Sequence, residues 1–576
     1  MRTAAARKIL LVKLTRMGDI LEAQPLLRDL RSQEPNARIT MVVNEAFRGA
    51  AELLPEVDEI LSFPLFDLVK SMREGQRDLV GLYRWLETFS QALGATPYDL
   101  ALNLTNSRLS GMLMGFLKAR QSRGLWYDGE GLREVVGPLI RYFGANEGMR
   151  RLSAFNLSDF MRCLYGSLGQ TPPSTLKRSA EAEAQADDLL SSDPSVVWVG
   201  IQLGASEACK RWRVEDFARM ASQLLAQTNV QLVLLGSGDE KPLATAFLEQ
   251  LQGDRSRVVS GVGRTSLQAL VAVTARLKLL ITNDTGTMHM AACLDVPVLN
   301  ISLGSAFFRE TGPYGEGHVI LEPRILCRPC DFNSLCSHHD CKALIPPEPV
   351  AAIAEAMLQG RSGLWERLAP TLATCKTFDV FETQLDQDGL LDYARKTPRP
   401  LLHDEVLLHV FRMAILQSEL GGEFELRLAD GIQRMLRDGT TLYPDVEAQC
   451  RESLARFETI EALSVRGARH IDTAMDALYA EDRDAVQYHM EAANAIDREL
   501  YQLGRQHADA RLLMRTYVLT KESLRSERIE MILRGDHACF NGLQAVVAWS
   551  RIALTQALEA LEKTSSPSIN SLSSMA

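Results

Sequence analysis

The chain has 576 residues, too many for one hydrophobic core, and its length suits about three domains. A hydrophobic content of 46% and a charged content of 24% are those of a soluble globular protein. The formal net charge of −10 argues against nucleic acid as the main partner. Strand-like sequence begins within seven residues of the N-terminus, which leaves no room for a signal peptide. No apolar stretch reaches the roughly 18 residues that a membrane span needs. Ten cysteines in a chain expected to stay in the cytoplasm read as thiols or metal ligands rather than disulfides.

In chain order, Lys8 to Leu14 (KILLVKL) is an apolar run of strand length. Thr15 to Gly18 form a turn, and Asp19 opens a helix with Ile20, Leu21, Leu26, Leu27 and Leu30 on its face. Ile39–Val43 and Leu100–Leu104 are further strand candidates. This alternation over residues 1–175 predicts a parallel, doubly wound sheet. The Pro-, Ser- and Ala-rich passage over 172–195 reads as a linker followed by a polar helix. Over 190–361 the alternation returns, with strands expected at Val196–Leu203, Val230–Leu235, Val258–Ser260, Leu277–Ile281 and Val296–Ile301. Helices are expected between them at Val214–Gln227 and Ser266–Ala275. Two such domains make a cleft, the usual place for a ligand touched by both. From 362 to 563 strand-like runs give way to Ala-, Leu-, Glu- and Arg-rich helical spacing, which predicts an all-helical domain of about six helices. The Ser-rich residues 564–576 read as a disordered tail.

The stretch TNDTGTMHMAA, Thr282 to Ala292, carries the most chemistry. It joins the end of a buried strand to a helix, so backbone N–H groups after Asp284 are left pointing off the strand end with the positive helix terminus behind them. A phosphate or diphosphate suits that place. Gly286 allows close approach of backbone, Thr285 offers a hydroxyl and His289 an imidazole N–H. The plainer alternative is a strand–turn–helix with Asp284 as its cap. The loop after Leu203 holds Ser206 and Lys210, a hydroxyl and an ammonium that can reach the same anion. In a doubly wound sheet both loops leave the carboxyl edge, where ligands bind. Trp212 reads as a packing anchor. Asp19 is open to two compatible readings, a helix cap and a general base on the facing domain.

Other motifs are weaker. LLGSGDE (Leu234–Glu240) and GVGRTS (Gly261–Ser266) lack a full GxGxxG, and the second reads as a turn with Thr265 or Ser266 capping the next helix. Cys327, Cys330, Cys336 and Cys341 form C-x2-C-x5-C-x4-C. Either a structural zinc site or plain loop thiols fit that spacing, with a redox pair as a third reading. Glu405 and His409 share a helix face, without the paired Glu-x-x-His motifs of a di-iron bundle.

Taken in this order, KILLVKLTRMGDI, LGASEACKRW, LLGSGDE, NDTGTMHMAACLDVP and CRPCDFNSLCSHHDC resemble glycosyltransferase family 9, the ADP-heptose:lipopolysaccharide heptosyltransferases. The resemblance covers about residues 7–360. It implies a GT-B fold, two Rossmann-like domains facing a cleft, with the acceptor on the first and the nucleotide-sugar on the second. It also implies an inverting, metal-independent transfer of a heptose-like sugar to a lipopolysaccharide-core or other glycan acceptor, with no cofactor required for catalysis. By position, Asp19 matches the family's proposed base, Ser206 and Lys210 a phosphate loop, and Asp284, Thr285, Gly286 and His289 the donor-binding turn. Ala205 stands where the family commonly has a hydroxyl residue, and the helical extension lies outside the family pattern. That extension has faces for a membrane surface, a second subunit or another envelope enzyme. The expected location is the cytoplasm, including its periphery at the inner membrane face. A nucleotide-sugar epimerase on the same fold and a non-catalytic scaffold are the alternative readings.

Overall fold

A computed structural model describes residues 6–565 except 66–78, 118, 129–130, 132, 138, 146–148, 170–174, 192, 332–335, 421–442, 444 and 523–527. The chain forms two compact units. One comprises Met1–Asp128 with Phe155–Pro398, the other Gly129–Ala154 with Arg399–Ala576.

The first unit holds two α/β lobes. In the N-terminal lobe, strands β1 (Lys8–Lys13), β2 (Arg38–Asn44), β3 (Glu59–Phe63), β4 (Leu100–Asn103) and β5 (Ser122–Tyr127) pair in parallel in the order β3-β2-β1-β4-β5. Their residues are apolar on both faces, as a sheet covered by helices on each side requires. Ile9, Leu10, Leu11 and Val12 of β1 are fully buried. The helix expected from Asp19 onward is two helices, Met17–Leu21 and Gln24–Gln33. Pro25 lies at the start of the second, where its missing N–H breaks no intrahelical bond but its ring restarts the chain direction.

The chain enters the second unit with β6 (Arg133–Val136) and returns to build the C-terminal lobe from β7 (Trp198–Gln202), β8 (Gln231–Leu235), β9 (Val258–Ser260), β10 (Leu277–Asn283), β11 (Val298–Ile301), β12 (Val319–Pro323), β13 (Phe378–Leu385) and β14 (Leu391–Arg395). The order is β14-β13-β12-β11-β10-β7-β8-β9, with parallel pairing except at one edge, where β13 pairs antiparallel with both β12 and β14. Every strand expected here forms, within one or two residues at each end. The helix Val214–Gln227 matches its expected span, and Leu267–Thr274 is capped by Ser266, which accepts the Ala269 N–H. Trp212 is buried, stands edge-on to Phe217 and donates its indole N–H to Ile345 O at 3.1 Å. One expectation shifts. Strand structure does not end at 362: the helix Leu364–Thr374 is followed by the β13–β14 hairpin, which extends the second sheet, and the long helices of the second unit begin at His403. Thr383, Gln384 and the charged residues of the hairpin mask an edge pair that sequence periodicity alone did not show.

In each lobe the first strand lies between strands reached by crossovers in opposite directions. The switch points fall between β1 and β4 and between β7 and β10, where carboxyl-end loops diverge and leave a crevice. The lobes are tied by a buried network on the helix Leu157–Tyr165: Arg162 donates to Asp29 at 2.7 Å and to the Tyr314 hydroxyl at 2.8 Å, and Tyr314 donates to Asp159 at 2.7 Å.

The described residues of the second unit are mainly helical, with β6 as their one strand. Its described helices include Ile140–Ala145, His403–Leu420, Val446–Tyr479, Arg483–Gln506, Ala508–Glu522 and Ile529–Ser565. Asp509 is buried in it and accepts the Arg456 guanidinium and the Ser453 hydroxyl. Among the described residues no helix is long and apolar enough to cross a membrane. The expected linker at TPPST and the Ser-rich tail fall almost wholly outside the described residues.

Candidate functional site

The candidate site is built from the loops at the two switch points. From the N-terminal lobe, β1 runs into the turn Leu14–Arg16 and the short helix Met17–Leu21. Asp19 sits in the first turn of that helix, and its Oδ2 accepts the Arg16 backbone N–H at 2.9 Å. From the C-terminal lobe come the loop after β7 and the turn after β10.

The loop after β7 is held by its neighbours. Asn283, the last residue of β10, donates to Leu203 O at 2.9 Å and Gly204 O at 3.2 Å, and accepts the Trp212 N–H at 2.9 Å. Arg211 donates to Ala205 O at 2.8 Å. Lys210, pinned inside this frame, is buried and its Nζ lies 3.8 Å from Asp284 Oδ2. Ser206 stays at the lobe boundary, where Arg16 of the other lobe approaches its Oγ at 3.4 Å and Glu207 Oε1 at 3.7 Å.

The turn after β10 departs from one expectation in a useful way. Thr285, not Asp284, caps the helix Gly286–Cys293: its side chain accepts the Met288 N–H at 3.3 Å. Asp284 is left to accept the Thr311 hydroxyl at 3.1 Å and face Lys210. His289 lies one turn into the helix, buried, with its ring against the helix that carries Asp19. A Cβ built on Gly18 would stand 2.8 Å from His289 Cδ2, and one on Gly286 would strike the end of Met17. Gly18 is therefore required by the close approach of two helices from different lobes, while at Gly286 the end of Met17 can move aside.

Asp19, Ser206, Lys210, Asp284, Thr285, Gly286 and His289 are thus brought together where the lobes meet. Two residues of this cluster were not singled out from sequence. Lys13, the last residue of β1, is buried with its Nζ donating to Leu104 O at 3.2 Å. Glu22 is buried with its Oε1 3.7 Å from His289 Nε2. Burial, then the neighbouring Asp19, pushes the Glu22 carboxyl well above the usual carboxylate range. Burial pushes the His289 imidazole down, against the pull of Asp284 and Asp19. The signal for Lys13 was a charge ending an apolar strand; for Glu22 it was an acid amid small and apolar residues.

The cysteine segment does not join this cluster. Cys341 is packed in the core of the C-terminal lobe, Cys327 is exposed, and Cys336 Sγ accepts the His339 N–H at 3.4 Å. Cys330 is half-buried, and burial raises its thiol pKa. The segment is anchored by the buried Arg328, which donates to Gly304 O, Ser302 Oγ and Ala306 O. Among the described residues no three His, Cys, Asp or Glu side chains are placed to hold a metal ion, so the expectation of a structural zinc at Cys327, Cys330, Cys336 and Cys341 finds no support.

Two doubly wound lobes with a polar cluster at their facing switch points, followed by a helical region, define a protein of the GT-B kind. Residues 86–339 match the family model Glycosyltransferase family 9 (heptosyltransferase). The matched range takes in Ser206, Lys210 and the 284–289 turn, while Asp19 precedes it. Lipopolysaccharide heptosyltransferase 2 of Salmonella typhimurium is 26% identical over 307 residues, covering 51% of this chain and 81% of the relative. Lipopolysaccharide heptosyltransferase 1 of Pseudomonas aeruginosa is 24% identical over 375 residues, covering 61% and 98%. Among solved structures, a glycosyl transferase family 9 protein from Veillonella parvula is similar at 20% identity and a TM-score of 0.49, covering 62% of this chain and 99% of that one.

Proposed function

We propose that the chain is a heptosyltransferase that moves a heptose-like sugar from ADP-heptose to a lipopolysaccharide-core acceptor, with inversion and without a catalytic metal. The observation that carries this reading is the meeting of Asp19 from one lobe with Lys210, Asp284 and His289 from the other. The donor's diphosphate would lie against Lys210 and the N–H groups at the start of the helix Gly286–Cys293, with Ser206 at its edge. Asp19 would take the acceptor hydroxyl's proton as that oxygen bonds to the anomeric carbon. The bond from that carbon to the diphosphate oxygen breaks, and its electron pair leaves with the nucleoside diphosphate. Attack from the Asp19 side, opposite the leaving group, inverts the anomeric centre. Fixed cations and amides that meet the charge developing on the leaving oxygen can do what a metal does in other transferases. The name shared by the curated relatives supports heptose as the sugar and lipopolysaccharide as the acceptor. An acceptor embedded in the envelope would bring the enzyme to the inner face of the cytoplasmic membrane.

The test is transfer of label from ADP-heptose to heptose-deficient lipopolysaccharide core, followed by mass spectrometry of the product. The expected result is one added heptose, formed only when acceptor is present and unaffected by EDTA. Release of free heptose alone, or turnover abolished by the chelator, would contradict the reading.

A further inference from the structure

Glu22 is the anomaly of the site. Both of its carboxyl oxygens are buried, and neither has a hydrogen-bond partner. A carboxyl group in that condition is costly unless it has a use. His289 Nε2 lies 3.7 Å from its Oε1, on the first turns of the helix that would face the donor diphosphate. The charged and titratable groups around it come from every neighbouring element: Lys13 at the end of β1, Asp19 on its own helix, Lys210 and Asp284 from the loops of the other lobe, and Cys293 at the far end of the His289 helix. Burial opposes a second carboxylate there first, and the acids among them oppose it further. In the empty site burial therefore favours the protonated carboxyl over the carboxylate, and the neutral imidazole over the imidazolium.

An arriving diphosphate changes that balance. Its negative charge beside His289 favours the imidazolium, and the Glu22 carboxyl, 3.7 Å from Nε2, is placed to give the proton. We propose that Glu22 is a positioning residue that stores the proton His289 takes when the donor diphosphate binds. The Glu22 O–H bond breaks, its electron pair stays on the carboxylate, and an N–H bond forms at Nε2. The resulting imidazolium stands between the new carboxylate and the bound anion. No proton enters from solvent, so donor binding is insulated from pH. This rests on the nucleoside-diphosphate reading of the site given above.

The test is calorimetric titration of ADP into the full-length protein at pH 7.5 and 8.5, each in two buffers of different ionisation enthalpy. Wild type is expected to bind with little proton uptake and nearly the same Kd at both pH values. Glu22→Gln keeps the shape but cannot release a proton. It is expected to bind about 10-fold more weakly at pH 8.5, with a steeper pH dependence and a measurable uptake of protons from buffer. In a His289→Gln background the Glu22→Gln change should have no further effect on Kd. A full proton taken up by wild type, or a Glu22→Gln protein with wild-type Kd and proton count at both pH values, overturns the proposal. A merely structural role would move the melting temperature and leave the proton count alone. If wild type fails to bind ADP at all, the nucleoside-diphosphate reading falls first, and the stored proton falls with it.

Discussion

In the proposed reaction Asp19 is both a helix cap and the base, one carboxyl oxygen for each task. One carboxyl oxygen takes the Arg16 N–H, which leaves the other for an acceptor hydroxyl. Asp19→Asn preserves the cap geometry and removes the base. Turnover should drop by about 10²–10⁴-fold with ADP affinity changed by less than about threefold. Equal losses in affinity and turnover would make Asp19 a structural residue only. Its place at a helix start was legible in the sequence, because an acid after Gly there is a recognisable pattern. The sequence did not expose Glu22, whose partner His289 lies in the other lobe and is joined to it only by folding. The same applies to Asn283, whose polar side chain at the end of an apolar strand has three partners across the switch point.

Elements make the site by two devices, a stitched loop and a tight helix contact. Removing the Asn283 amide leaves Leu203 O, Gly204 O and the Trp212 N–H without their partners. Asn283→Ala should cost on the order of 2–4 kcal/mol in urea unfolding and raise the KM for the nucleotide-sugar, since Lys210 sits in the freed loop. An unchanged KM would show that the loop keeps its shape without the stitch. Between the helices, Gly18→Ala pushes a methyl into the His289 ring and should cost about 1–3 kcal/mol with a clear loss of ADP binding. Gly286→Ala meets only the mobile end of Met17, so its effect on melting temperature should be smaller. Reversal of that order would mean the two helices do not approach as described. Strand and helix positions in the C-terminal lobe were legible because buried parallel strands are continuous apolar runs between glycine loops. The β13–β14 hairpin was not, because its mixed polarity blends into the helical composition that follows. The split at Pro25 was also hidden, since the apolar spacing continues across it.

At the scale of the molecule, burial makes the first unit sensitive to acid. His318 precedes β12, pairs its backbone with Thr383 of β13 and is buried with Nδ1 unpartnered, and its pKa is pushed down to about 4, by burial first and by Arg361 second. The unfolded chain protonates this imidazole near 6.5, the folded chain only near 4. Its contribution to stability is therefore complete above about pH 6.5 and declines as the pH falls toward 4, by about 3 kcal/mol in all. His318→Gln should flatten the fall in melting temperature over that window relative to wild type. Parallel curves would mean the imidazole is not held neutral by the fold. The division into two α/β lobes and a helical region was legible from the change in periodicity. The assignment of Gly129–Ala154 to the helical unit was not, because a segment's packing partners are set by tertiary structure rather than by its own composition.

The central claim is that a nucleoside diphosphate binds where the two lobes meet, gripped by Lys210. Thermal unfolding with and without ADP tests it directly, because a ligand that binds only the folded state raises the melting temperature by mass action. ADP should raise the melting temperature of wild type by several degrees, and Lys210→Ala should abolish most of that rise while unfolding at nearly the same temperature as wild type without ligand. No shift in wild type, or an equal shift in both proteins, would contradict the account.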